Sequence, residues 1–187
     1  MATVKALIDS RINFAQAVYG STAPNDVINA LCLMDVYYFS FDGRLHQGQL
    51  VINEWVRKDI DAVFSMIEKS RFPIAKVVPI VQYNWSDDAS MADNNTSAFN
   101  YRFIAGTQNL SSHALGMAVD MNPRQNPLMY AEDDVAPPGA VYNCSTAGSL
   151  KESHPVVCEF LRRGWQWGGL FKDVKDYQHF EKKVPAL

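Results

Sequence analysis

The chain has 187 residues, enough for one domain that buries roughly two thirds of its unfolded surface. Apolar residues make up 48% and charged residues 20%, which excludes a disordered chain. The net charge of −3, with Lys and Arg scattered, leaves no basic face, so nucleic acid is not an expected partner.

Residues 3–19 read as an amphipathic helix, with Val4, Leu7, Ile8, Ile12, Ala15 and Val18 at helical spacing and Gly20 and Pro24 ending it. Asp9 and Arg11 fall where a signal peptide would need an apolar core. Either the protein is not exported by that route, or a signal was removed before this numbering begins. No apolar run approaches the roughly 18 residues that cross a bilayer.

Residues 36–41 and 49–52 predict a β-hairpin turning at Asp42-Gly43. Residues 53–70 form the clearest helix: Asn53 caps it, and Trp55, Val56, Ile60, Val63, Phe64 and Ile67 line its core face. The β-branched run 76–83 reads as an edge strand or a bulged one, because Pro79 lacks an amide donor. Residues 84–99 are polar and aperiodic, as expected of a functional or mobile loop, and suit the rim or lid of a site. Strand-like segments follow at 101–105 and 116–121, then an irregular stretch over 123–150. Ser153 is expected to cap a helix over 155–163 that stops at Gly164. The class is α+β, an antiparallel sheet flanked by helices.

Cys32, Cys144 and Cys158 are too few for a disulfide framework, and no CxxC is present. Cys144 and Cys158 either pair in an oxidising compartment or remain free and buried. Zinc sites that hydrolyse bonds use three protein ligands and keep one position open, and imidazole and carboxylate are the donors this chain can offer. His46, in a polar hairpin arm, and His154, beside a helix cap, are expected to face solvent.

His113 and Asp120 are different. Only small or apolar residues separate them, and Gly116 permits a bend that would bring Asp120 back toward the imidazole. A plain structural His–Asp hydrogen bond accounts for the same spacing. Near the C-terminus, Asp176 and His179 are three apart, so one tight turn puts them on one face. There His179 can bind a metal and Asp176 can act as general base toward a water whose pKa a divalent cation lowers from about 15.7 to about 7. Glu181 or Asp173 could supply that base instead.

The pattern S-x-H-x-x-G-x-A-x-D, met by Ser111, His113, Gly116, Ala118 and Asp120, is followed by D-x-x-H, met by Asp176 and His179. Together they resemble the zinc peptidases of the VanY/VanX type: D-alanyl-D-alanine carboxypeptidases and dipeptidases, and L-alanyl-D-glutamate endopeptidases, which share the Hedgehog/DD-peptidase fold. The resemblance covers roughly residues 40–187 and leaves 1–39 as an N-terminal helical extension packed on a single zinc peptidase domain. It implies Zn2+ held by His113, Asp120 and His179, with Asp176 as base. Phe99–Arg102 looks like the family's arginine-bearing strand, which makes Arg102 the stabiliser of the oxyanion. Ser111 either binds substrate or braces the turn. Trp165, Trp167 and Tyr177 are core or groove, Trp167 and Tyr177 being the candidates for substrate contact.

The expected activity is hydrolysis of peptidoglycan stem peptides. A D-alanyl-D-alanine carboxypeptidase comes first, an L-alanyl-D-glutamate endopeptidase second, and a non-catalytic peptide-binding module with a structural zinc is the rival. The expected form is a monomer, in the cell envelope if a signal was trimmed and otherwise cytoplasmic until release.

Overall fold

The computed structural model describes residues 5–131 and 134–183. Helices and strands mix as in an α+β chain, but the strands are divided among four small sheets instead of forming one. Among the described residues, no helix is long and apolar enough to cross a membrane.

Leu7–Ile8 form strand β1, not the middle of a helix; Val4 lies outside the described residues. β1 lies parallel to the hairpin, with Asp9 N–H donating to the Gln47 carbonyl at 2.8 Å. Gln49 then accepts from Ser10 Oγ and from Ile12 N–H, both at 2.8 Å, which fixes the chain in an extended path. A new helix α1, Phe14–Ala17, starts only at Asn13, whose side chain and Gln16 cap each other's backbone. Ile8 and Ala15, expected on the buried stripe, face solvent. Sheet pairing has overridden a helical period. Asn25–Asn29 add a short helix, α2.

The hairpin is longer than its apolar core suggested: β2 spans Leu31–Phe39 and β3 Leu45–Asn53. Gly43 (φ 75°) makes the turn. β3 also carries β1, giving the order β1-β3-β2. His46 is half-buried, held by Asp9 at 2.9 Å on one side and Asp42 at 3.2 Å on the other, so it does not simply face solvent.

Asn53 accepts from Trp55 N–H and starts a turn of 3-10 helix, after which α3 runs Arg57–Ser70. Val56, Ile60, Val63, Phe64 and Ile67 are buried as the period predicts. Trp55 is 52% exposed, because the 3-10 turn rotates it off that face. The Lys182 ammonium lies 5.1 Å from its ring.

The expected strand at 76–83 reduces to β4, Lys76–Val77; after Pro79 the chain turns into a 3-10 helix. The 84–99 segment is not an open loop. Ser86 caps α4, Asp87–Ala92, and β5, Asn95–Thr96, pairs parallel with β4. Residues 95–100 are buried. Residues 101–105 are not a strand: one bridge joins Phe103 to Leu110.

Strand β6 is Ala118–Asp120. Within 123–150, β7 (Leu128–Ala131) and β8 (Asp134–Ala136) make a second hairpin. Helix α5 is Pro155–Arg162, capped by His154, not Ser153, through an imidazole nitrogen that accepts from Val156 N–H. His154 is half-buried against Phe72 and so is no free surface histidine. Cys144 and Cys158 are both free and exposed, neither paired nor buried. β9 (Gln166–Trp167), β10 (Lys175–Asp176) and β11 (His179–Glu181) complete the fold. β6, β11 and β9 form one sheet, packed against α5 and, through Val119 and Phe180, joined to the core of α3 and the first hairpin.

Candidate metal centre

Three local devices bring His113, Asp120 and His179 together. First, Ser111 Oγ accepts from His113 N–H at 3.3 Å and starts a 3-10 turn over Ser112–Leu115. Gly116, at φ 65°, ends it; a Cβ there would stand 2.6 Å from Asn53 N, which instead donates to the Gly116 carbonyl. The bend expected after His113 is thus a 3-10 turn that docks on the end of β3. Second, the chain leaves that turn directly into β6. Third, β11 pairs antiparallel with β6 so that His179 lies directly opposite Asp120. The Asp120 backbone is also tied to Ser97 on its other side.

The side chains converge. His113 Nε2 lies 3.2 Å from Asp120 Oδ2 and 3.2 Å from His179 Nδ1, and His179 Nδ1 lies 3.0 Å from Asp120 Oδ1. One donor atom from each residue fits within 4.8 Å of the others, so the group could hold a metal ion. His113 and Asp120 are buried and His179 is nearly so. His113 Nδ1–H donates to the Ala98 carbonyl at 2.5 Å, leaving the Nε2 lone pair for the centre. On the far side of His179, Nε2 faces Glu181 Oε2 at 3.6 Å, and Ser112 Oγ donates to the same carboxylate at 2.5 Å. This outer carboxylate orients the ring, as partners of ligating histidines commonly do.

The electrostatics favour positive charge at the centre. Burial works against ionised Asp120, but the two imidazoles outweigh it and hold the carboxyl well below the usual carboxylate range. Burial likewise disfavours imidazolium at His179, yet Asp120 and Glu181 raise it to about 10. Glu181 is pulled down to about 2, first by His179, and by Ser112 as well, against its burial. Imidazole, imidazole and carboxylate are a borderline-to-hard donor set suited to a divalent cation.

Asp176 ends β10, and Tyr177 and Gln178 carry the chain across to His179 on the next sheet. Burial, with the Asp120 charge adding, raises its carboxyl to about 6, while His179 and His113 pull the other way. Its Oδ1 is buried without a partner. Gly168 makes this placement possible: a Cβ there would meet Asp176 O at 2.3 Å and Asp176 Cβ at 2.7 Å. A buried carboxyl raised to about 6, with one oxygen unpartnered, is poised to exchange a proton near neutral pH.

Arg102 Nη2 pairs with Asp87 Oδ2 at 2.7 Å, and Arg102 Nε is buried without a partner. Trp167 is buried in the core, its indole N–H donating to the Tyr177 carbonyl at 2.9 Å. Tyr177 is partly buried and stacks on Tyr142 with centroids 3.6 Å apart. Trp165 is buried as well, edge-on to Phe160. A groove of about 600 Å³ opens beside these tryptophans, and one of its walls, Phe171, lies 6.3 Å from the His179 ring.

Sequence reasoning missed Asp87, Ser112 and the Ala98 carbonyl. The Ser86-Asp87-Asp88 capping signature could have located α4 and its first carboxylate. The His179-Phe180-Glu181 alternation already put Glu181 on the His179 face of its strand.

No curated protein and no solved structure matches the chain. The family comparison does find a match, over the stretch that carries all three candidate ligands and Asp176. Residues 105–182 match the family model described as D-alanyl-D-alanine carboxypeptidase, the VanY-like peptidases that the two motifs resemble.

Proposed function

We propose that the protein is a zinc-dependent peptidase that hydrolyses peptidoglycan stem peptides, first of all as a D-alanyl-D-alanine carboxypeptidase, within a single domain of Hedgehog/DD-peptidase fold. The observation that carries this reading is the buried His113–Asp120–His179 group, with the Asp176 carboxyl, one oxygen of which has no partner, within its electrostatic reach. The family match over 105–182 supports it.

His113 Nε2, His179 Nδ1 and an Asp120 oxygen would hold the ion. A bound divalent cation would supply Lewis acidity, acidifying a water and polarising the scissile carbonyl. Asp176 accepts the proton of the attacking water and returns it to the leaving amine, a task suited to a carboxyl raised to about 6. Arg102 stabilises the oxyanion of the tetrahedral intermediate, a contribution of about 3–4 kcal/mol for a well-placed donor. Glu181 and the Ala98 carbonyl keep both imidazoles oriented. Ser111 braces the turn under His113, while Trp167 lines the groove and donates to the carbonyl of Tyr177, on the chain between Asp176 and His179. An L-alanyl-D-glutamate endopeptidase is the second reading, since it uses the same motif with Asp as base.

The test is mass analysis of a stem pentapeptide incubated with zinc-loaded protein, with and without a chelator. Loss of one terminal alanine that the chelator abolishes identifies the carboxypeptidase. Cleavage after the first alanine identifies the endopeptidase. An intact pentapeptide under every divalent metal leaves only the binding module.

A further inference from the structure

Asp87 lies outside the matched residues and outside both motifs, yet it is the partner of Arg102. Its Oδ2 is 2.7 Å from Arg102 Nη2, and its Oδ1 accepts from Asn100 Nδ2 at 3.4 Å. The same segment is laced to the turn that presents His113. Asn100 N–H donates to the His113 carbonyl at 3.2 Å, and Ser111 N–H donates to the Arg102 carbonyl at 3.1 Å. Arg102 therefore leaves its strandless segment next to the candidate ligand, with one nitrogen engaged and its Nε buried and unpartnered.

The carboxylate is itself well anchored. Asp87 opens α4, whose first turn is capped by Ser86. Just before it, Trp85 donates its indole N–H to the Tyr19 carbonyl at 3.1 Å and meets the buried Phe99 ring edge-on at 5.9 Å. Phe99 in turn packs with Ala17, Leu31 and Val51. A guanidinium on a long flexible stem loses rotamer freedom when fixed, and an ion pair on a rigid element fixes it before substrate arrives. An ordinary exposed ion pair would contribute little. The unpaired buried Nε–H is what sets this one apart, because a buried donor is seldom left without an acceptor.

We infer that Asp87 is a positioning residue, holding Arg102 so that its remaining N–H donors meet the oxyanion; this rests on the peptidase reading above. The test uses the zinc-loaded full chain and the stem pentapeptide, with kcat and KM measured separately. Asp87→Ala and Asp87→Asn should lower kcat about 10- to 100-fold with KM changed less than about twofold, at unchanged zinc content. Asp87→Glu should recover most of the loss. The double variant Asp87→Ala/Arg102→Ala should be no slower than Arg102→Ala within about twofold, since Asp87 acts only through Arg102.

A readout free of turnover is the Arg102 Nε–H resonance, assigned by its disappearance in Arg102→Ala. It should shift in Asp87→Asn. An active wild type with Asp87→Ala equally fast, multiplying losses in the double variant, or an unmoved Nε–H resonance overturns the role of Asp87 alone. A wild type that cleaves no stem peptide overturns the peptidase reading and this role together.

Discussion

Asp176 and Gly168 show how tightly single residues determine this site. Asp176→Asn keeps the volume and removes the proposed base. Metal content by elemental analysis should stay at the wild-type level while turnover of the stem peptide falls about 10²- to 10⁴-fold. Gly168→Ala tests the same carboxyl from behind. Its Cβ would stand 2.3 Å from the Asp176 carbonyl oxygen, so β10 must move away and carry the Asp176 carboxyl with it. Activity should fall at least about tenfold while the metal is retained, because the three ligands are anchored elsewhere. A Gly168→Ala protein with full activity would show that the base tolerates displacement. The approach of Asp120 to His113 was legible in the sequence from the bend at Gly116, whereas His179 joined them only through the motif resemblance, because its pairing opposite Asp120 is a contact between strands far apart in the chain. Asp87 was legible in the sequence only as a capping carboxylate. Its link to Arg102 depends on α4, a six-residue helix inside a polar stretch without period.

At the level of elements, α3 and α5 are joined by a carboxylate that three donors share. Asp59 accepts from Arg163 at 3.1 Å, Trp165 Nε1 at 3.0 Å and Lys182 at 2.7 Å, tying α3 to the end of β11, the strand that carries His179. Burial alone would raise the Asp59 carboxyl, but these hydrogen bonds outweigh it and lower it below its usual value. The folded state therefore binds the proton less readily than the unfolded chain, whose carboxyl titrates near 3.9. The resulting stability is fully present above that pH and is lost as pH falls through the lower folded value. Asp59→Asn should cost about 1–3 kcal/mol in urea unfolding at pH 7. The gap from wild type should narrow once pH drops below 4; a gap that stays constant down to pH 2 would contradict the assignment. The α3 core face was readable because an amphipathic period needs no distant partner. The 7–17 region misled for the opposite reason: Leu7 and Ile8 fit a helical stripe, but Gln47 and Gln49 offer their backbone and side chain to an extended path. The 84–99 stretch was misread as loose for the same cause, its order coming from partners such as Val78, to whose carbonyl Asn95 donates.

For the whole molecule, the candidate centre joins elements far apart in the chain: the turn after Ser111, β6 and β11. All three must be in place for its ligands to converge, and an unfolded chain offers no such group. A cation binding there is therefore a ligand of the native state, and it stabilises folding by mass action. At a hundredfold excess of zinc over its dissociation constant the gain is about 2.7 kcal/mol. In a chain of this size each kcal/mol moves the melting temperature by roughly 2–4 °C, so zinc should raise it by about 5–11 °C and a chelator should reverse the rise. His113→Ala and His179→Ala each remove one ligand, and both should abolish the shift. Asp176→Asn should leave it intact, since that carboxyl is the proposed base and not a ligand. Differential scanning calorimetry of the four proteins, with and without zinc, separates the cases. A zinc-dependent rise that survives in His113→Ala would place the ion somewhere other than this triad.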